Sequence, residues 1–149
     1  MGQIYILDTR DRARLLIAMM GALAAEDSRI SFEGRLTKTE LALMEPVANE
    51  EVGILKRATQ QPKLHFLILP LTQQTLPAIE KAIKSRIAFG HGGIVHVQIE
   101  KSGKMAFAAY DNFDRECVVA YSAVSTTFLD ELTEGRILRS YQRVVRATA

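Results

Sequence analysis

The sequence predicts an α+β fold: a single domain with a mixed, largely antiparallel β-sheet and α-helices packed against it. Three observations carry this expectation. Apolar residues recur at helical spacing in some segments and as short strand-length runs in others. A hairpin pattern lies beside strand–helix–strand crossovers, a combination that gives mixed sheets with helices layered on them. The 149 residues, 48% hydrophobic and 24% charged, have the size and composition of one globular unit, able to bury roughly 70% of the surface its unfolded chain exposes. No repeat, low-complexity tract or linker divides the sequence, so residues 1–149 read as one domain, with a basic tail, about 143–149, expected to fray.

Ile4 to Leu7 reads as a short buried strand. Asp8 or Thr9 then caps a helix reaching about Ala25, with Asp11 in its first turn and Leu15, Leu16, Met19, Met20 and Leu23 on one face. Arg29 to Leu36 alternates as a strand does, with Gly34 as a bulge or end. Thr37 to Glu40 has capping-box spacing and predicts a short helix that stops before Pro46. Asn49 is expected to cap another short helix, which Pro62 closes. Leu64 to Leu71 is a near-continuous apolar run and reads as a central strand covered on both faces.

Thr75, Leu76 and Pro77 open the next helix, with Leu76, Ile79, Ile83 and Ile87 inward and Gly90 at C′. Ile94 to Glu100 and Lys104 to Tyr110 form a hairpin about Ser102-Gly103. A two-residue loop puts Ile99 opposite Ala106 and Val97 opposite Ala108. It leaves a second, mixed face with His96, Gln98 and Glu100 across from Ala109, Phe107 and Met105. Glu116 to Tyr121 is a further strand, and Ser125 to Glu134 a helix ended by Gly135. Arg136 to Val145 fits two forms. As a helix it aligns Arg136, Arg139, Arg143 and Arg146 in one stripe; the Gly135 exit favours a strand from Arg136. In element order alone, Leu64 to Tyr110 with the later helix resembles a ferredoxin-like unit, which implies no function.

Cys117 is the only cysteine, so no internal disulfide can form, as expected in a reducing compartment. The start lacks a basic n-region, and the apolar stretch from Leu15 to Ala25 is about half the ~20 residues that span a bilayer. A cytoplasmic protein without membrane partners is therefore expected. The net charge of +2 is too small to imply nucleic acid, but the chain carries no acidic residue after Glu134, which concentrates positive charge at its C-terminus.

Several groups could carry chemistry. Asp8 ends a strand before a helix, a favoured ligand position, but Arg10 stands where an aspartate-based phosphotransfer site needs a second acid. Gly90-His91-Gly92-Gly93 could approach an anion closely, yet the Gly-x-Ser-x-Gly elbow of an esterase is missing. Tyr110 to Cys117 gathers Asp111, Asp114 and Glu116 with Asn112 and the thiol. Paired carboxylates can serve as acid and base or hold a hard cation, and Asp-Asn is also ordinary turn chemistry. Cys117 would need His91 or His96 as a base to act as a nucleophile; a buried inert thiol is the expectation. His65, inside an apolar strand, is expected to be a hydrogen-bonded core residue. The histidines lack zinc spacing, so no metal, cofactor or catalytic set is assigned.

These features favour a non-enzymatic binding or regulatory module of antitoxin or immunity type, meeting a protein partner or a second copy of itself. Its binding face would use His96, Phe107, Asp111, Asp114 and Arg115. A nucleic-acid binder using Arg136, Arg139, Arg143 and Arg146 is one alternative. A small enzyme or ligand-binding domain using Asp8, His91, Asp111 or Asp114 is another. It requires at least two of these side chains to converge on one pocket.

Overall fold

In a computed structural model, which describes residues 2–90 and 93–144, the chain forms seven strands, three α-helices and one 3₁₀ turn. They follow as β1 (Tyr5–Thr9), α1 (Arg12–Leu23), β2 (Ser28–Gly34), the 3₁₀ turn (Glu40–Leu43), β3 (His65–Pro70) and α2 (Leu76–Lys84). Then come β4 (Ile94–Lys101), β5 (Lys104–Ala109), β6 (Val118–Ala120), α3 (Thr126–Glu134) and β7 (Leu138–Arg143). The strands make one sheet in the order β3-β2-β4-β5-β6-β1-β7. Every strand pairing is antiparallel. This is the expected single-domain α+β fold, and its sheet, expected to be mixed but largely antiparallel, is antiparallel throughout. The crossovers produce no parallel neighbours because each is split. β3 and β4, joined by α2, run parallel with β2 between them, and β6 and β7, joined by α3, enclose β1 in the same way.

All three helices bury their apolar residues in one cluster on one face of the sheet. Leu15, Leu16, Met19, Met20 and Leu23 of α1 meet Ile79, Ala82 and Ile83 of α2, Leu129 and Leu132 of α3, and Ile30, Phe32, Val97, Ile99 and Phe107 of the sheet. The cap of α1 is Asp11, whose Oδ1 accepts the Arg14 N–H at 3.1 Å. Asp8 and Thr9 instead extend β1, and the Thr9 hydroxyl donates to the Ile137 carbonyl. Helix α2 stops at Lys84 rather than running to Gly90. Ala88 turns into the core and its carbonyl accepts the Ile94 N–H, which leaves Ile87 47% exposed instead of on an inner stripe. Helix α3 falls where the sequence places it, with Ser125 capping and Gly135 ending it; of the two forms open to Arg136 to Val145 the strand forms, but from Leu138 rather than Arg136.

β3 is an outer strand, not a central one. Its apolar run is nevertheless covered on both faces. Leu67 and Leu69 join the helix-side core, while Phe66 and Ile68 pack with Leu55 in a second cluster under the segment between residues 44 and 60. That segment also closes the sheet edge, since Val47 N–H donates to Ile68 O and Ile68 N–H to Ala48 O, both at 2.8 Å. The helix expected after Asn49 does not form. A tight Val52–Leu55 turn through Gly53 brings Leu55 under the sheet, and burying leucine outweighs local helix propensity. The capping box at Thr37–Glu40 yields only the 3₁₀ turn, whose N-cap is Thr39 rather than Thr37 and whose Thr39 hydroxyl donates to the Leu36 carbonyl instead of capping.

The hairpin turns at Ser102-Gly103, both at positive φ, as a two-residue loop requires. Its expected register fails one step later. A bulge between Ile99 and Glu100 pairings sets Ile99 opposite Phe107 rather than Ala106. The shift turns Phe107 into the helix-side core, where its ring is fully buried. Among the described residues, no helix is long and apolar enough to cross a membrane.

Candidate functional site

The mixed face of the hairpin is interior. Phe107 is 0% and His96 3% exposed, so neither belongs to a binding face. Phe107 leaves it through the bulge. His96 is covered by the segment that folds over β2 and β4, and a ladder of buried polar groups stitches that cover down. Both Glu33 carboxylate oxygens accept backbone N–H groups, from Ala58 at 2.7 Å and Thr59 at 3.2 Å. The Thr59 hydroxyl meets His96 Nε2 at 2.7 Å. Gln98 accepts from Lys56 N–H and donates to the Tyr110 hydroxyl at 3.0 Å. Glu100 accepts Arg29 at 2.6 Å. Polar side chains can be buried here because the covering loop offers backbone partners that its own irregular path leaves unpaired.

The last rung leads outward. His96 Nδ1 accepts the Asp111 N–H at 3.0 Å. Asp111 begins the β5–β6 loop, which the Tyr110 N–H closes on Cys117 O at 2.9 Å. Asp111, Asn112 and Phe113 all take left-handed backbone conformations, with φ of 52°, 60° and 62°. Aspartate and asparagine tolerate this conformation, but Phe113 costs roughly 1–2 kcal/mol there, and glycine is absent. The surroundings offset that cost. Phe113 is buried edge-on to Phe89 at 5.8 Å and beside Phe107 at 6.3 Å. Asn112 N–H donates to Val95 O at 2.7 Å, and Arg12 donates to Asn112 Oδ1 at 2.7 Å. With Phe113 turned in, Asp111, Asp114 and Arg115 are left exposed.

Those exposed residues form one wall of a cleft of about 570 Å³; Leu7, Asp8, Thr9 and Arg139 form the other. Asp8, Asp111 and Asp114, singled out separately in the sequence, converge here from the end of β1 and the β5–β6 loop. Asp8 Oδ1 accepts Arg139 at 3.3 Å. A shallower depression lined by Thr9, Arg10, Asp11, Arg12, Asn112 and Phe113 continues the cleft to the start of α1. A second cleft of the same volume lies by β3, where Arg57 sits against the Phe66 ring and donates to the Leu64 carbonyl and to Glu50. Arg57 thereby serves the cover segment. Comparison with protein-family models gives no match for this chain, and neither curated proteins nor solved structures give one. The reading of the cleft therefore rests on its own geometry.

That geometry disfavours thiol chemistry. Cys117 is partly exposed rather than buried, and its thiol points to Asp111 Oδ2 at 3.8 Å. Desolvation, then the charges of Asp111 and Asp114, push its pKa up and keep the proton on sulfur. Alkylation by iodoacetamide at about pH 8 is expected to run several-fold slower than for a small free thiol, and Asp111→Asn to speed it about two- to threefold. An unchanged rate in the variant would show that the carboxylate does not set the thiol's reactivity. Among the described residues, no group of three His, Cys, Asp or Glu side chains is placed to hold a metal ion.

The remaining candidates scatter. Arg136 occupies the turn after α3, Arg139 faces Asp8, and Arg143 lies in β7 opposite Tyr5. The strand therefore breaks the arginine stripe a helix would make. His91 and Arg146 lie outside the described residues. His65 is exposed on β3 rather than in the core, its Nδ1 accepting the Leu36 N–H at 3.1 Å. Thr59, Glu33 and Arg12, which fix the loop and its cover, carried no motif in the sequence; only the proximity of polar residues to a hairpin face hinted at them.

Proposed function

We propose that this chain is a non-enzymatic binding module that engages a protein partner through the β5–β6 loop, with a basic side chain of the partner entering the cleft beside Asp111 and Asp114. The supporting observation is the run of three left-handed residues locked by the buried Phe113. Backbone strain held by surrounding packing is a mark of sites whose geometry matters. A loop fixed beforehand loses little freedom on binding, so its contacts convert more fully into affinity. Charge selects the partner. Three carboxylates line the cleft against two guanidinium groups, and Asp8 is already paired with Arg139. Asp111 and Asp114 on the rim are left to meet a cation and to steer its approach.

The test is NMR mapping with short peptides, one rich in lysine and arginine, the other in glutamate. The basic peptide is expected to shift amides of Thr9, Asp111 to Arg115 and Arg139. Asp111→Asn with Asp114→Asn should weaken it by about tenfold, as loss of paired interfacial charges does. Equal response to the acidic peptide, or shifts confined to other faces, would end this reading. The same cleft also suits a small organic cation, since its volume of about 570 Å³ lies within the usual range for small-molecule sites. A free alkylamine that displaces the basic peptide would favour that version.

A further inference from the structure

We infer that His96 is a proton-operated latch on the recognition loop: neutral, it holds the Asp111 amide in place, and a second proton on its ring releases that amide. The inference takes the β5–β6 loop as the recognition element, but its geometry stands apart from any ligand. A backbone N–H can only donate, so the 3.0 Å contact with Asp111 requires an unprotonated Nδ1. The neutral ring then carries its proton on Nε2, where it donates to the Thr59 hydroxyl at 2.7 Å. Both ring nitrogens are used, one by each of the two irregular segments that meet over β4. The ring is buried, and these two contacts serve its two nitrogens.

Adding a proton to Nδ1 sets two donors against each other along one line. The bond to the Asp111 amide breaks, while the Nε2 bond to Thr59 can persist. Released, Asp111 loses one of the anchors that hold three consecutive left-handed residues. The titratable and charged groups around the ring come from β2, β4, the loop and the cover segment. Glu33, the register partner of His96 in β2, is a buried carboxylate on the same face. Tyr110 and Asp111 flank the ring from the loop, the Tyr110 ring centroid lying 5.8 Å away. Of the other charged groups nearby, Arg57 is turned to Leu64 and Glu50, Lys56 is exposed, and Glu100 on the same strand is held by Arg29. A proton on Nδ1 and the bond from the Asp111 amide exclude each other. Proton binding and loop release are therefore linked: the anchored loop dominates at higher pH, the released loop at lower pH.

The experiment uses the free full-length protein with ¹⁵N-labelled histidine, titrated from about pH 8 to about pH 5, the interval in which histidine charge changes. At the upper end His96 should carry its proton on Nε2. As the ring takes up its second proton, protection of the Asp111 amide, taken relative to its intrinsic exchange rate at each pH, should fall about tenfold, the effect of one lost hydrogen bond. His96→Asn, which places a carbonyl oxygen near the Nδ1 position, should give a loop that does not respond over the same range. If that variant fails to fold, the wild-type titration decides alone. A protected Asp111 amide beside a titrating ring, a ring that does not titrate, or a proton on Nδ1 at the upper end would each overturn the latch. Because no peptide is present, a failed latch leaves the binding result standing, and failed peptide binding leaves the latch untouched.

Discussion

Phe107→Ala is expected to lower folding stability by about 3–5 kcal/mol, the usual range for truncating a fully buried phenylalanine. The size of the loss decides the hairpin register. With the ladder an uninterrupted two-residue hairpin would give, Phe107 would share a face with His96 and Gln98, outside the helix-side core. The bulge instead sets it opposite Ile99, among α-helical side chains and 6.3 Å from Phe113. Met105 lies on the strand before the bulge and is only partly buried. Met105→Ala should therefore cost much less, within about 1 kcal/mol. Urea unfolding of both variants gives the comparison directly through the midpoint at unchanged slope. Phe107→Ala should also loosen Phe113 and with it the β5–β6 loop, seen as faster exchange at the Asn112 amide. Equal, small losses at positions 105 and 107 would mean that the bulge is misplaced and that Phe107 faces outward.

The bulge also shows where the sequence stops being informative. Strand-length apolar runs, the Ser102-Gly103 turn, the Ser125 cap and the Gly135 exit all act within a few residues, and each is recovered in the structure. β3 misleads because coverage, not position, sets its composition. An outer strand packed by helices on one side and by Leu55 on the other carries the same apolar run as a central one. Asn49 misleads because burying Leu55 is a tertiary reward that no local pattern announces. The candidate site divides along the same line. Asp8, Asp111 and Asp114 were legible one by one, from a strand end and an acidic turn, but their convergence depends on β6 pairing with β1. Phe107 looked like surface because one extra residue in β5 reverses the side chains beyond it, and His96 because the segment that covers its face announces itself in no local pattern.

Gly34→Ala should destabilise the protein by about 3 kcal/mol or more, since the added carbon meets backbone where nothing can rotate away. A Cβ built at Gly34 lies 1.8 Å from the Gly93 carbonyl oxygen, and φ there is 157°. The close approach belongs to the end of β2, where the register against β4 shifts between Glu33 and Gly34 and Arg35 N–H donates to the same Gly93 carbonyl at 3.1 Å. Making room means moving β2 away from β4 beside Glu33. Glu33 holds the amides of Ala58 and Thr59, and Thr59 meets His96. The damage should therefore travel beyond the strand end, with faster exchange at the Thr59 and Asp111 amides in whatever fraction stays folded. Gly103→Ala provides the control. Its φ is 78°, but nothing lies within 4 Å of the added carbon, so it should lose only the roughly 1–2 kcal/mol of a left-handed alanine. If the two variants unfold at the same urea concentration, the contact between the Gly34 and Gly93 backbones is not as close as described. The cover segment would then be anchored independently of this end of β2.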